Sequence, residues 1–419
     1  MCGPLSMNCF IFTNLEILFK KMTVTIIICV LLLLAYAFDV SAAFTKIPSV
    51  ILLLLLGSIV RYVTTSLNIV IPDLNPFLPV LGTIGLILIV LEGSLDLEIN
   101  RSKIPMIKKS VLVAIIPMFV MAFGLAFLLG ALNDDSFKLN LINVIPFCVI
   151  SSAIAIPSVR GLSQENKEFV VYETSLSDIF GVLFFNFVAL NPYINGQSFW
   201  LFGIQILIIV VVSFISVLGL SFLLSRIRHH VTFTPIILFV ILIYAVSKEF
   251  HLPGLIFILV FGLFLGNIDE LKRFKWIEKF RPLKLQAEVD KFKEVTIEAT
   301  FMVRATFFIL FGFLMNPNEI FNLETLPLAG AIVFIILLIR WVTLKLAGLP
   351  TSPLLFVAPR GLITILLFLA IVPEQSIPLV NKSLVIQTIL LSVVAMMIGL
   401  MTTKKEEPTS EEDNKEAAL

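Results

Sequence analysis

The stretch FVVYETSLSDIFGVLFFNFVAL, residues 169–190, decides the fold, because it is long and apolar enough to cross a bilayer as one helix. Its only acidic or basic side chains are Glu173 and Asp178. A carboxylate in hydrocarbon costs roughly 2.5 kcal/mol or more, so a membrane helix that carries one usually has a partner or a task for it. The first interpretation of Asp178 is therefore a site for an ion or a proton.

The composition of the whole chain indicates the same class of protein. Hydrophobic residues make up 58% of the 419 residues and charged residues only 14%, whereas soluble domains contain about 25% charged residues. Each apolar stretch has to satisfy its own backbone hydrogen bonds in lipid, so we predict an all-α, multi-pass protein of the lipid bilayer. The net charge of +1 argues against a nucleic-acid partner.

About thirteen transmembrane helices are predicted within residues 22–402. Upstream, residues 1–21 are an N-terminal extension, which is interpreted either as an artefact of the start site or, with Lys20-Lys21, as part of a signal peptide; we prefer a retained first helix. Downstream, residues 403–419 are predicted to be a disordered tail. The predicted spans are 22–40, 47–66, 75–97, 110–130, 139–159, 169–190, 198–225, 231–247, 252–268, 295–316, 326–344, 351–373 and 383–402.

Lysine and arginine are distributed unevenly over the predicted loops. Loops on one side hold five of the thirty basic residues and loops on the other side hold twenty-one, with four inside spans. The basic side should be cytoplasmic, which places the N-terminus outside and the C-terminus inside the cell (inner) membrane. The longest cytoplasmic loop, residues 269–294, is interpreted as an amphipathic helix on the inner leaflet, with a solvated linker as the alternative.

Two predicted spans contain similar motifs. Residues 156–162 read IPSVRGL and residues 357–362 read VAPRGL, so both place a proline shortly before Arg-Gly-Leu. The two motifs are seven spans apart, and an odd separation makes the two copies cross the membrane in opposite directions. This pattern predicts inverted-topology repeats with two interrupted, crossing helices. Interrupted helices free backbone groups and offer their dipole ends to an ion.

Helical geometry separates the two acids of residues 169–190. Thr174 and Ser175 share a helix face with Asp178, and together the three form an oxygen-rich patch that suits a hard cation. Glu173 lies five positions earlier, about 140° around the helix. The two carboxylates therefore need different partners. The alternative for Asp178 is a structural pair with an arginine.

Six short motifs occur in a characteristic order along residues 50–400, and together they resemble the monovalent cation:proton antiporter superfamily of bacterial sodium/proton antiporters and sodium/hydrogen exchangers. The motifs are Leu91-Glu92-Gly93, Ser151-Ser152-Ala153, Glu173-Thr174-Ser175-Leu176-Ser177-Asp178, Phe307-Phe308, Arg340 and Arg360-Gly361. The second of them is similar to the family's interrupted Ser-Ser-Thr helix. The third is similar to its Glu-Ser-x-x-Asn-Asp stretch.

The resemblance implies a homodimer in which a mobile core domain slides against a dimerisation domain. The core would comprise the spans of about residues 110–190 and 326–402, with the remaining spans as scaffold. Asp178 would bind the cation or the proton, and Glu173 and Arg340 would form a buried structural pair.

Several polar side chains are candidate ion ligands around Asp178. Ser151 and Ser152 offer hydroxyl groups, with capping of the helix break as the alternative role. The full set predicted to bind the ion or proton is Asp178, Ser177, Thr174, Ser175, Ser151 and Ser152. The chain departs from its relatives at Ser177, where they have Asn or Asp, and at Ala153-Ile154, where many have Thr-Asp. These departures bear on the choice of cation.

The buried arginines have more than one interpretation. Arg340 is the preferred partner of Glu173, with snorkelling to the inner interface as its alternative, and Arg360 is the second choice of partner. Arg304 lies at a depth similar to that of Asp178 and either neutralises a carboxylate in one state or forms a structural pair.

The predicted function is secondary transport and not enzymatic catalysis. Proton and cation would compete for Asp178, which favours one-for-one, electroneutral exchange of Na⁺ for H⁺ by alternating access. No cofactor is expected, and neither nucleotide-binding motif, GxGxxG or GxxxxGK[ST], occurs. A K⁺/H⁺ antiporter or potassium efflux system is the alternative within transport. An ion channel is the alternative of a different class, although no TVGYG filter occurs.

Overall fold

The computed structural model describes residues 25–42, 45, 47–69, 71–97, 101–159, 161–226, 233–250, 252, 254–267 and 282–403. The predicted extension at residues 1–21, residues 269–281 of the predicted loop and residues 404–419 of the predicted tail lie outside the described residues.

Within these described ranges the chain forms helices and no strands, which confirms the all-α prediction. Ten helical segments of the described chain are long and apolar enough to cross a membrane, whereas α9, α10 and α14 coincide with predicted spans but are shorter. The count of thirteen spans thus stays a prediction. The helices are α1 Thr25–Ala42, α2 Ser49–Ser66, α3 Phe77–Asp96, α4 Ile104–Gly130, α5 Phe137–Cys148, α6 Ser152–Ser158, α7 Gln164–Leu190, α8 Gly196–Arg226, α9 Phe233–Glu249, α10 Gly254–Gly266, α11 Pro282–Leu314, α12 Pro317–Ile320, α13 Leu326–Leu346, α14 Leu362–Ala370 and α15 Lys382–Thr402.

Both helices that were predicted to be interrupted are broken. The first stops at Cys148 and resumes at Ser152, with extended backbone at Val149. The second of the two interrupted helices was predicted to span residues 351–373. It is helical only from Leu362 to Ala370, apart from a short 3₁₀ turn that begins at Pro373. Ser151 and Pro359 connect the two breaks, because the Ser151 N–H donates to the Pro359 carbonyl over 2.9 Å. The two broken stretches therefore meet.

Helix α11 begins well before the predicted span boundary at residue 295. Its first residue is Pro282, so the second half of the predicted cytoplasmic loop is part of one 33-residue helix. The reason is packing: Val289 and Phe292 are buried, and the Lys293 ammonium lies 2.6 Å from the Asp96 carboxylate at the end of α3. Residues 289–293 of this segment thus lie against the protein.

Glycines allow α2 to lie directly against α11. A Cβ atom on Gly57 would be 2.1 Å from the Ile309 carbonyl oxygen, and one on Gly312 would be 2.3 Å from the Leu54 carbonyl oxygen. Small residues at such positions are the usual way for membrane helices to approach closely. Arg61 continues the contact by donating to carbonyls at the end of α11.

Helices α4 to α7 pack with α13 to α15 as a second group, whereas α3 contacts α10 and α11 in the first. Helix α4 contacts α5, α7 and α13, and α7 also contacts α6. The two groups meet along α3, which contacts both α7 and α14. At two points of this contact α3 presents a glycine: Gly93 faces Ser175 of α7, and Gly82 faces Leu366 of α14.

Candidate functional site

Asp178 lies in the middle of α7 with only 1% of its surface exposed. One carboxylate oxygen, Oδ2, accepts a hydrogen bond from the Ser152 hydroxyl at the start of α6. The other oxygen, Oδ1, is buried and has no hydrogen-bond partner among the described residues. The helix break therefore brings one predicted ligand, Ser152, directly onto the carboxylate.

The break itself is held by hydrogen bonds from outside its own helix. Ser177 accepts the Ile150 N–H with its hydroxyl oxygen over 3.0 Å, and Pro359 accepts the Ser151 N–H. Both N–H groups would bond carbonyls four residues earlier in an uninterrupted helix. The Ser151 hydroxyl is buried and, in the described part of the chain, unpartnered. Two buried oxygens where the broken helices cross, Asp178 Oδ1 and the Ser151 hydroxyl oxygen, are thus available to a ligand.

Thr174 and Ser175, the other two predicted ligands, have different neighbours. The Thr174 hydroxyl donates to the Val170 carbonyl over 2.8 Å. Ser175 directs its hydroxyl toward α3, where a Cβ atom on Gly93 would be 2.7 Å from it. Neither hydroxyl is hydrogen-bonded to Asp178 in the described structure, although all three side chains are buried.

Glu173 and Arg340 meet in a buried, two-pronged ion pair. Arg340 Nη1 lies 2.5 Å from Glu173 Oε1, and Arg340 Nη2 lies 2.9 Å from Oε2. The third nitrogen of Arg340, Nε, donates to the Leu354 carbonyl over 2.7 Å. Arg340 is 3% exposed, so its side chain is directed into the protein and does not snorkel.

Arg360, the second choice of partner for Glu173, binds backbone carbonyls instead. Its Nε donates to the Phe147 carbonyl over 2.5 Å, and its Nη1 donates to the Ala358 carbonyl over 3.1 Å. Phe147 lies in the last turn of α5, where a cation is favourable for the helix dipole. The guanidinium thereby ties the end of α5 to the second broken stretch.

Arg304 lies next to an acid of α1 and not next to Asp178. Its Nη2 is 3.9 Å from Asp39 Oδ1, and this carboxylate also accepts a hydrogen bond from Ser49 at the start of α2. Of the two interpretations of Arg304, this position favours the structural pair.

A cavity of about 610 Å³ lies between α3, α7, α9, α10 and α14. Val182, Phe185 and Ala189 of α7 line it, at four, seven and eleven residues after Asp178, so they continue the Asp178 face of the helix. Leu86 of α3 lines the opposite wall. The cavity therefore comes within about one helical turn of the Asp178 position.

Sequence reasoning did not foresee how two residues shape the site. Gly361 was quoted only as part of the Arg-Gly motif, without a role, although a Cβ atom there would be 2.8 Å from the Ser151 hydroxyl oxygen and 2.5 Å from Ile154 Cδ1. Asn143 was missed: it donates to the Gln375 carbonyl over 2.7 Å and so connects the segment after α14 to α5. A buried asparagine in an apolar span was a usable signal for Asn143, and the repeated Arg-Gly motif was one for Gly361.

The metal ligands that proteins use for tightly held ions do not cluster in the described structure. Within it, no three His, Cys, Asp or Glu side chains come together as a group that could hold a metal ion. The arrangement at Asp178 is one carboxylate with hydroxyls, which suits weak, reversible binding of a hard cation.

The fold matches that of solved ion antiporters. The sodium proton antiporter MjNhaP1 from Methanocaldococcus jannaschii at pH 8 superposes with a TM-score of 0.65 at 18% identity, covering 91% of this chain and 99% of that one. A second structure of the same antiporter, from an electron-microscopy map, gives 0.62 at 18% identity and covers 93% and 99%. The chain thus shares the helical membrane fold of these two structures.

Residues 28–404 match the family described as "Sodium/hydrogen exchanger, transmembrane". The chain belongs to this family, which confirms the resemblance drawn from its motifs. Members are transporters and not enzymes, and the family supports cation/proton antiport. No curated protein matches the chain significantly.

Proposed function

We propose that the protein exchanges Na⁺ for H⁺ across the cell membrane, one for one, with Asp178 as the group that takes either ion. The observation that carries this proposal is the state of the Asp178 carboxylate. One oxygen is bound to Ser152, and the other is buried without a partner in the described structure. A buried carboxylate with an unpartnered oxygen is stabilised by binding a proton or a cation, because its bare charge is costly inside the membrane.

The neighbouring hydroxyls complete the proposed cation site. Ser151 holds a second buried, unpartnered oxygen at the same break, and Ser152 already contacts the carboxylate. Oxygen ligands of this kind suit hard monovalent cations. Ser177 supports the site indirectly by accepting the Ile150 N–H. We place Thr174 and Ser175 at its edge.

Coupling follows from competition at one carboxylate. A bare charge is costly at mid-membrane, so the loaded core should cross cheaply only with a proton or a cation on Asp178. One titrating group at the crossing gives electroneutral exchange. Alternating access would then consist of movement of α4–α7 and α13–α15, as the core domain, against the remaining helices, which would form the dimerisation domain of a homodimer. The contacts of α3 with Ser175 and Leu366 support this division.

The orientation proposal rests on the distribution of basic residues. Twenty-one of thirty lie on the side that we assign to the cytoplasm, together with the C-terminus. The 610 Å³ cavity then opens toward the outside, because it lies at the Leu190 end of α7.

The test is a pH-sensitive dye in everted membrane vesicles, with Na⁺, Li⁺ and K⁺ added separately. Wild type should give a cation-dependent pH change with Na⁺, and Asp178→Asn should abolish it. Asp134→Asn, in the exposed turn between α4 and α5, is the matched control. No response to any cation would contradict antiport, and a response to K⁺ alone would assign the potassium alternative. Full activity in Asp178→Asn would rule out the site.

A further inference from the structure

A second cavity, of about 360 Å³, lies at the same end of the helix bundle as the first. It is bounded by α3 and α11 on one side and by α14 and α15 on the other. Its interior is apolar, and the side chains that form it are Leu78, Phe311, Leu314, Ile365, Phe368 and Ile386. We call it the seam cavity, because it lies between the two groups of helices.

The mouth of the seam cavity carries one charge of each sign. Lys382 is the first residue of α15, and Glu319 lies in α12, just after the end of α11. Both line the cavity. In the described part of the chain, Lys382 has no carboxylate within ion-pair distance, so the two charges face one cavity without contacting each other. Glu319 accepts a hydrogen bond from the Asn316 N–H over 3.0 Å and keeps further lone pairs.

The depth of these groups follows from where they stand on their helices. Lys382 is the first residue of α15, Glu319 follows the last residue of α11 by five positions, and Asn75 precedes the first residue of α3 by two. The apolar lining follows one or more turns deeper, for example at Ile386. Helix ends of membrane spans lie at the level of the lipid headgroups, and their interiors lie among the acyl chains. The seam cavity therefore has the polarity profile of a lipid molecule.

We propose that the seam cavity binds a zwitterionic phospholipid. The end of one acyl chain lies among the apolar side chains, the phosphate contacts Lys382, and the headgroup ammonium contacts the Glu319 carboxylate. Cavities of this volume are in the range of ligand pockets. An anionic lipid satisfies Lys382 but is repelled by Glu319, so the pair selects a headgroup with both charges.

The site goes beyond the proposed transport function and does not depend on it. A chain bound there contacts α3 and α11 together with α14 and α15, and so it touches both groups of helices at once. Lipid composition would then influence any movement between the two groups.

The experiment measures retained lipid directly. The full-length protein is reconstituted in vesicles of equal phosphatidylethanolamine and phosphatidylglycerol, extracted in detergent and washed, and the lipid that remains is quantified by mass spectrometry. Wild type should retain phosphatidylethanolamine over phosphatidylglycerol about fivefold, the selectivity expected from the one partly exposed charge contact, at Glu319, that differs between the two lipids. Glu319→Gln should reduce this preference, because only the Glu319 carboxylate distinguishes the two headgroups. Lys382→Gln should lower the retention of both lipids without reducing the preference, because both carry the phosphate that Lys382 contacts. Leu314→Trp, which fills the cavity, should reduce total retention.

The controls are matched to these variants. Lys248→Gln changes an exposed lysine that lines the other cavity, and Leu323→Trp adds the same bulk at a site that is 78% exposed; both should retain lipid as wild type does. Equal retention of the two lipids by wild type, preference for phosphatidylglycerol, or full retention by Leu314→Trp would overturn the proposal. Transport in the same vesicles separates the two proposals: retention without Na⁺-dependent pH change contradicts only the transport function, and transport without retention contradicts only the lipid site.

Discussion

Arg340 holds Glu173 through two hydrogen bonds, of 2.5 and 2.9 Å, inside the protein. The pair joins α13 to α7, the helix that carries Asp178. Since Glu173 and Asp178 are about 140° apart around α7, fixing the first carboxylate also fixes the direction of the second. The pair therefore sets the rotation of α7 at the candidate ion site.

Removal of one member of this pair should destabilise the protein strongly. Arg340→Gln leaves the Glu173 carboxylate buried and uncompensated, which typically costs about 3–5 kcal/mol. The double variant Glu173→Gln/Arg340→Gln removes both charges and should recover part of the loss. Thermal unfolding of the purified protein in detergent measures both effects.

The control for this prediction is the half-exposed pair of Lys293 with Asp96. Lys293→Gln should shift the unfolding temperature little, because exposed ion pairs contribute only about 0–1 kcal/mol. A double variant less stable than Arg340→Gln alone would show that hydrogen bonding, and not charge balance, dominates the pair.

Gly361→Ala should abolish transport while the protein still inserts into the membrane. The added Cβ would be 2.5 Å from Ile154 Cδ1 and 2.8 Å from the Ser151 hydroxyl oxygen, so the two broken stretches must move apart at the site. Gly124→Ala in α4 meets no atom within 4 Å and should leave the pH response unchanged. Normal transport by Gly361→Ala would mean that the contact of the breaks is not needed for the cycle.

The contact between α3 and α7 yields a rescue experiment. In Gly93→Ala the new Cβ would be 2.7 Å from the Ser175 hydroxyl oxygen but 3.6 Å from the Ser175 Cβ. Gly93→Ala should therefore slow transport, and Gly93→Ala/Ser175→Ala should restore much of it. Initial rates in reconstituted vesicles, with Ser175→Ala alone as control, test this. Loss of transport in the single variant Ser175→Ala would instead assign the Ser175 hydroxyl to the ion site.

The apolar spans were predictable from sequence, because each helix interior has to be apolar over its own length. The position of the first break was predictable only through the resemblance, because Val149 and Ile150 are apolar and fit a continuous helix. Its cause lies elsewhere in the chain, in the acceptors Ser177 and Pro359. Pro157, which suggested an interruption, lies in the last turn of α6.

Only the part of the candidate site that depends on the geometry of a single helix was predictable from sequence. The angle between Glu173 and Asp178 follows from the helix, and the structure places the two side chains in different surroundings. Which arginine pairs with Glu173 depended on tertiary contacts. Arg360 donates to the Phe147 and Ala358 carbonyls, and Arg340 is therefore the partner of Glu173. Such tertiary contacts leave no periodic signal in the sequence.

Ser152→Ala should weaken cation binding. The variant removes the hydroxyl that donates to Asp178 Oδ2, and a hydrogen bond to a charged group contributes about 1.5–3 kcal/mol, so the apparent KM for Na⁺ should rise roughly tenfold or more. Ser158→Ala is the matched control, because the Ser158 hydroxyl donates to the Ile154 carbonyl within α6 and makes no other hydrogen bond among the described residues. An unchanged KM in Ser152→Ala would remove Ser152 from the site.

Competition for one carboxylate predicts how transport depends on pH. When a proton and a cation exclude each other from Asp178, the apparent KM for Na⁺ should rise by up to about tenfold for each unit that pH falls, since one proton is linked to each cation. The maximal rate at saturating Na⁺ should change much less, because excess cation displaces the proton. Initial rates over a matrix of Na⁺ concentration and pH measure the slope, and valinomycin with K⁺ clamps the membrane voltage during the assay. A slope near two, or a rate that follows the imposed voltage at balanced gradients, would mean that a second titrating group takes part and that the exchange is electrogenic.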